Sequence, residues 1–189
     1  MATQPTRFLT PEEYLALDDA AERPSEYWGG IVVEIEGASS NHALLHSNLS
    51  YCLGDSTRKS NSPCVVRVQV RVHIPATGLY AYPDLTVTCG GEQYSDKNSL
   101  LNPVLLIEIL SPNTEDYDCG RKFEAYRSIP SLKEYVTVAQ DRVKIDHWVV
   151  INGKWTLDDT YSDIEATGAF LEWPIQIREI YRGVEFEGS

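Results

Sequence analysis

Glu108 is the only charged residue in Val104-Leu105-Leu106-Ile107-Glu108-Ile109-Leu110. Such a run suits a strand covered on both faces, where an ionised carboxylate is costly unless a metal or a cation receives it. A second acid, Asp84, opens the apolar segment Leu85-Thr86-Val87 behind Tyr82-Pro83, and Lys122 follows on what reads as the next helix. Two acids on neighbouring apolar strands suggest a divalent-cation site. Acid, acid and lysine are also the residue types that phosphodiester hydrolysis needs. A hard cation activates water and offsets charge on the phosphorane-like transition state. Oxygen ligands suit Mg²⁺ or Mn²⁺, with waters and substrate phosphate completing the shell. A nearby lysine orients the attacking water or steadies developing negative charge. Each residue also has a plainer reading: Asp84 as a turn acid, Glu108 paired with an arginine, Lys122 as a solvated helix residue.

The elements that must position these groups are legible in outline. Thr10-Pro11-Glu12-Glu13 starts a short helix, with Thr10 as N-cap and Glu13 as the capping-box acid. Residues 26–35 read as a hairpin turning at Gly29-Gly30. Ser39 or Ser40 caps a longer helix whose apolar positions include Leu45, Leu49 and Leu53. Residues 64–74 alternate as one period-two strand, with Val66, Val68, Val70 and Val72 on one face and Arg67, Gln69 and Arg71 on the other. Strands are expected near 82–88 and 103–110, with a polar loop between them. Ser111-Pro112-Asn113-Thr114 ends the second, and Asp118 is expected to cap a helix over 119–128. Strands at 134–138, 143–150 and 155–157 complete the pattern, the last two joined at Asn152-Gly153. No composition break divides the chain. The expectation is one α/β domain over residues 1–189, built on a mixed central β-sheet flanked by helices.

Composition narrows the function classes. Apolar content of 42% and charged content of 23% are ordinary for a globular protein. No apolar run approaches a membrane span and the N-terminus lacks signal-peptide character, so the expected location is cytoplasmic, with no membrane partner. The net charge of −12 repels phosphate backbones over the surface as a whole and leaves only a local basic cleft for nucleic acid. Cys52, Cys64, Cys89 and Cys119 contain no C-x-x-C pair, which argues against structural zinc and against a disulfide framework. Cys52 and Cys89 read as core fillers. Trp28, Trp148, Trp155 and Trp173 read as core or interface groups.

Taken together, Tyr82-Pro83-Asp84, Glu108-Ile109-Leu110-Ser111-Pro112-Asn113-Thr114, Asp118-Cys119-Gly120-Arg121-Lys122-Phe123 and Ile129-Pro130-Ser131-Leu132-Lys133-Glu134-Tyr135 resemble the Uma-two family of putative restriction endonucleases. That family is a bacterial branch of the PD-(D/E)XK nuclease superfamily. Glu26-Tyr27-Trp28-Gly29-Gly30-Ile31, with Ser40 and His42 beyond it, is similar as well. The resemblance runs from about residue 8 to about residue 150 and leaves a strand-rich C-terminal extension. It implies a restriction-endonuclease-like core with Asp84 in the PD position and Glu108 in the D/E position. The superfamily lysine two residues on is replaced by Leu110, and Lys122 matches the lysine that the family carries on the next helix. Glu26 matches an acid of the N-terminal motif and is a candidate third metal ligand. The implied activity is a Mg²⁺- or Mn²⁺-dependent endonuclease acting on DNA, as a homodimer because two strands need two sites.

Other residues weigh less. His42 and His46 are spaced i, i+4 but lack the glutamate of a zinc-protease motif; a hydrogen-bonding role for His42 beside the cleft is the better reading. Arg67, Gln69 and Arg71 either line a phosphate-contacting groove or pair with acids. Glu115, Asp116 and Asp118 read as loop and cap residues. The missing E-x-K lysine and the −12 charge motivate an alternative function, a nuclease-like fold serving as a self-associating or partner-binding module. A carboxylate-pair glycosidase leaves Lys122 unexplained.

Overall fold

The computed structural model describes residues 8–35, 37–111 and 115–186, with Asp116 described by its backbone alone. The expected strand end at Pro112-Asn113-Thr114 lies outside the described residues. Helix α1 (Pro11–Asp18) opens with the capping box in place: Glu13 N–H donates to Thr10 Oγ1 at 3.2 Å, and Thr10 N–H to Glu13 Oε2 at 2.9 Å. The hairpin β1 (Ser25–Trp28) and β2 (Ile31–Glu34) turns at the two glycines, both at positive φ. Ser39 caps α2 (Ser40–Lys59), accepting from His42 N–H at 3.1 Å.

The segment expected as one strand over 64–74 is two. β3 (Cys64–Val68) and β4 (Val72–Ile74) belong to different sheets. Between them Gln69 adopts φ 46°, a left-handed conformation that ends the pleat. Arg67, Gln69 and Arg71 therefore do not share a strand face, and the alternation read across all eleven residues stops where the backbone turns. β4 pairs with β5 (Leu79–Ala81), and the four strands form an antiparallel sheet ordered β2-β1-β5-β4.

The larger sheet comprises β6 (Leu85–Cys89), β7 (Leu105–Leu110), β8 (Glu134–Ala139), β9 (Ile145–Ile151), β10 (Lys154–Tyr161) and β3, in the order β10-β9-β8-β7-β6-β3. Only β7 and β8 run parallel, and a parallel pair requires a crossover. That crossover is helical: α3 (Glu115–Tyr117), a π-helical stretch (Asp118–Lys122) and α4 (Phe123–Tyr126). Asp118 is consequently not an N-cap. Glu115 N–H already bonds to Ser111 O at 3.0 Å, so the helix begins three residues earlier and Asp118 falls inside it. The Asn152-Gly153 turn joins β9 to β10 with φ of 52° and 75°, the left-handed pair that two-residue hairpins favour.

Strand alternation divides the core. Leu105, Ile107 and Ile109 face α2 through Leu45, Leu49 and Leu53. The hairpin β11 (Thr167–Phe170) and β12 (Trp173–Gln176), with α5 (Ile177–Ile180), packs on that same side. Leu106, on the opposite face, meets Phe123, Tyr126, Tyr135 and the apolar residues of β4 and β5. Glu108 and Leu110 share that second face, directed at the crossover helix. Cys64 and Cys89 are directly opposite on β3 and β6 and form a disulfide. Their separation of 25 residues hides a pairing that only strand register creates, so Cys89 is not a free core filler. Trp173 packs in the first core, while Trp28, Trp148 and Trp155 are half-buried against the second.

Candidate active site

Glu108 is buried on β7, and its Oε1 receives Lys122 Nζ at 3.0 Å and Tyr126 Oη–H at 2.8 Å. The lysine reaches it from the π-helical stretch. Lys122 Nζ also lies 2.8 Å from Glu26 Oε1 and 3.4 Å from Asp118 Oδ1. Glu26 comes from β1, and its Oε1 additionally accepts Tyr82 N–H at 3.1 Å. Asp84, just ahead of β6, is fixed by its neighbour strand: Ile109 N–H donates to Asp84 Oδ2 at 2.7 Å. His42 Nε2 sits 3.3 Å from Asp84 Oδ1, and His46 Nε2 is 3.2 Å from the Asp84 carbonyl oxygen. Neither Asp84 nor Glu108 pairs with an arginine among the described residues.

All four residues that the sequence singles out, Asp84, Glu108, Lys122 and Glu26, line one cleft of about 540 Å³ with His42 and Asp118. Four acids and one lysine are therefore buried together along one cleft, and the electrostatics record it. Burial pushes the Glu108 carboxyl well above the usual range. Lys122 opposes that shift, while Asp118, Asp84 and Glu26 add to it. Burial works against the Lys122 ammonium, but Glu108 and the other acids more than compensate and hold it charged. Burial likewise lowers His42, yet its bond to Asp84 and the carboxylate charge raise it overall. Among the described residues no group of three or more His, Cys, Asp or Glu is gathered to hold a metal ion. Mg²⁺ does not require one, since one or two carboxylates with waters and substrate phosphate are its usual shell. An oxygen-only pair, Asp84 and Glu108, with more anionic than cationic groups around it, fits such an ion.

The chain matches the Uma2 family, described as a putative restriction endonuclease, over residues 11–174. The chain belongs to the Uma2 family. Two uncharacterized proteins of Synechocystis sp. are similar to it. One is 30% identical over 189 residues, covering 94% of each protein. The other is 32% identical over 162 residues, covering 84% of this chain and 91% of the relative. A crystal structure from Anabaena variabilis, described as a putative nuclease belonging to DUF820, superposes with a TM-score of 0.73. It covers 92% of this chain and 97% of its own, at 15% identity. That likeness carries the fold: a single α/β domain with a mixed central sheet.

In this Uma2 chain the slot two residues past Glu108 holds Leu110, buried on the same strand face. The ammonium arrives instead from the crossover, so a lysine distant in sequence meets the same carboxylate. Asp118 and Tyr126 were not singled out by the sequence as site residues. They stand four residues before and after Lys122, the spacing that brings helical side chains to one side. That spacing was the available signal. The π-helical turn that carries Asp118 and Lys122 is a feature often found at functional positions. Arg67 and Arg71 lie outside this cleft: Arg67 pairs with Glu92 at 2.7 Å, and buried Arg71 with Asp18 at 2.7 Å and Asp19 at 2.9 Å. Pairing with acids, the plainer reading, describes both.

Proposed function

We propose that this protein is a divalent-metal-dependent endonuclease that hydrolyses phosphodiester bonds in DNA. One observation carries the reading: Lys122 Nζ bridges Glu108 and Glu26 at 3.0 and 2.8 Å, beside Asp84, in a solvent-connected cleft. Asp84 and Glu108, with Glu26 beside them, would hold Mg²⁺ or Mn²⁺. Such an ion supplies an activated water and offsets charge on the phosphorane-like transition state. The chain's own groups do the rest. Ile109 N–H fixes Asp84, and Tyr126 Oη–H fixes Glu108. Lys122 keeps its proton at working pH, and the N–H donors it now gives to Glu26 and Glu108 would turn to the attacking or developing anionic oxygen once an ion engages those carboxylates. Cutting both strands of a duplex needs two such sites, which is the reason to assign a homodimer. The −12 charge confines phosphate contacts to the cleft and its margins.

Glu108→Gln keeps size and hydrogen-bonding capacity and removes the charge. Magnesium-dependent nicking of plasmid DNA is expected to fall by about 10²–10³-fold, the loss typical of removing one electrostatic contribution to the transition state. The circular-dichroism spectrum should be unchanged. Undiminished nicking rejects the role of Glu108. The partner-binding alternative draws on the absence, among the described residues, of three gathered metal ligands. Calorimetry with Mn²⁺ separates the two: binding lost in Asp84→Asn supports the enzyme, and no binding at millimolar metal supports the module.

A further inference from the structure

A second cleft, of about 450 Å³, lies against the acid site, and Gln69 and Tyr82 line both. Tyr82 stands between them. Its backbone N–H holds Glu26 on one side, and its hydroxyl donates to Asp18 on the other. The second cleft carries both signs: Arg67, Arg71 and Lys97 line it together with Asp18, Asp19 and Asn98. Two of those cations are engaged. Arg71 is buried among Asp18, Asp19 and Asp96, and Arg67 is bonded to Glu92 through both Nε and Nη2. Lys97 is exposed and has no ion-pair or hydrogen-bond partner among the described residues. Its ammonium is the available charge.

Gln69 stands at the junction. Its backbone is left-handed (φ 46°), a conformation unfavourable for a non-glycine residue that persists only where the surroundings enforce it. Here its N–H donates to the Asp84 carbonyl oxygen at 3.0 Å, which couples Gln69 directly to the PD aspartate. The side chain is exposed, and its amide has no partner among the described residues. A polar donor held at the lip of an anionic site, in a cleft that an unpaired lysine also lines, suits an anion bound one step along a chain from the reacting one.

We propose that this second cleft seats the backbone phosphate adjacent to the scissile phosphate, with Lys97 as its cation and the Gln69 amide as a hydrogen-bond donor at the boundary between the clefts. The inference rests on the nuclease reading above and names where the strand runs: from the acid cleft past Tyr82 and Gln69 toward Lys97. Phosphate contacts of this kind position a nucleic acid without reading its sequence.

The test is fluorescence anisotropy of a fluorescein-labelled DNA duplex of random sequence, titrated in calcium at several salt concentrations. Lys97→Gln is expected to weaken binding about tenfold at low salt and to reduce the slope of log affinity against log salt by about 0.9, the release expected for one phosphate contact. Gln69→Gly relaxes the backbone and withdraws the amide. It should weaken binding about threefold with the salt slope unchanged, because a neutral donor displaces no counterion. Wild-type affinity and slope in Lys97→Gln overturn the proposal while leaving the nuclease reading intact. Binding that responds as expected in a protein that cuts no DNA keeps the cleft and removes the nuclease reading. No duplex binding by the wild type removes both.

Discussion

Two buried charge clusters lie on either side of Tyr82, and they solve the same electrostatic problem differently. Around Arg71, Asp18 is wrapped by donors: Ser25 N–H at 2.8 Å and Ser25 Oγ at 3.1 Å on one oxygen, Arg71 Nη1 at 2.7 Å and the Tyr82 hydroxyl on the other. Burial works against the Asp18 carboxylate, but its hydrogen bonds prevail and hold it below the ordinary range. Around Lys122, Glu108 has its lysine and tyrosine donors on a single oxygen and three more acids nearby, and it is pushed upward. A cluster completed by the protein's own donors is structural. The Lys122 cluster likewise sets three carboxylates around one cation, but there Glu108 is disfavoured in its charged form, an imbalance that the metal proposed above would offset.

The sharpest way to break this comparison is to remove each central cation. Arg71→Leu leaves Asp18 buried without its ion partner, a loss of about 3–5 kcal/mol of stability, measurable by urea denaturation and unaffected by metal. Lys122→Met should also lower the melting temperature in chelator, but millimolar Mn²⁺ should restore much of the loss if the proposed ion takes the lysine's place. Equal insensitivity of both variants to Mn²⁺ defeats the distinction. A smaller effect is expected for Tyr126→Phe, which removes one hydrogen bond to a carboxylate. Stability should fall by about 1.5 kcal/mol, and the cleavage rate by about tenfold through kcat, with KM little changed. A change in KM alone means that the tyrosine serves binding instead.

The smallest effect concerns pH. Asp18 and Asp96 are both held below their ordinary value of 3.8. Both are desolvated, but hydrogen bonds from Tyr82 and Ser25 to Asp18, and from Asn98 and Ser99 to Asp96, prevail. The folded protein thus binds fewer protons than the unfolded chain below that value. The stability these acids contribute is complete above about pH 4 and is lost as pH falls through their lowered values. Thermal melts of Asp96→Asn should start lower at pH 5 and decline less steeply toward pH 3 than the wild type. Parallel curves discount Asp96 as a contributor to acid stability.

The sequence carried the capping box at Thr10, a helix start at Ser39 or Ser40 and the Asn152-Gly153 turn, because each is written in neighbouring residues, and it carried the acid–acid–lysine order because each group stands out from its own neighbours. It missed what depends on partners far along the chain. The break at Gln69 was invisible because the alternating valines of residues 64–74 continue through it. The Cys64–Cys89 bond was hidden because strand register, not spacing, sets the two thiols opposite each other. The sequence allows Arg71 either a groove or an ion pair, and the fold assigns it to three aspartates drawn from two other segments.

By itself, then, the amino-acid order determined which residues were chemically conspicuous: a carboxylate amid apolar neighbours is costly wherever it is buried, whatever surrounds it. Tertiary structure decided which partners meet it. Lys122 reaches Glu108 only because the parallel pairing of β7 with β8 demands a crossover, and a π-helical turn in that crossover brings the ammonium to 3.0 Å from the carboxylate. Cost is local to the residue; compensation is made by the fold.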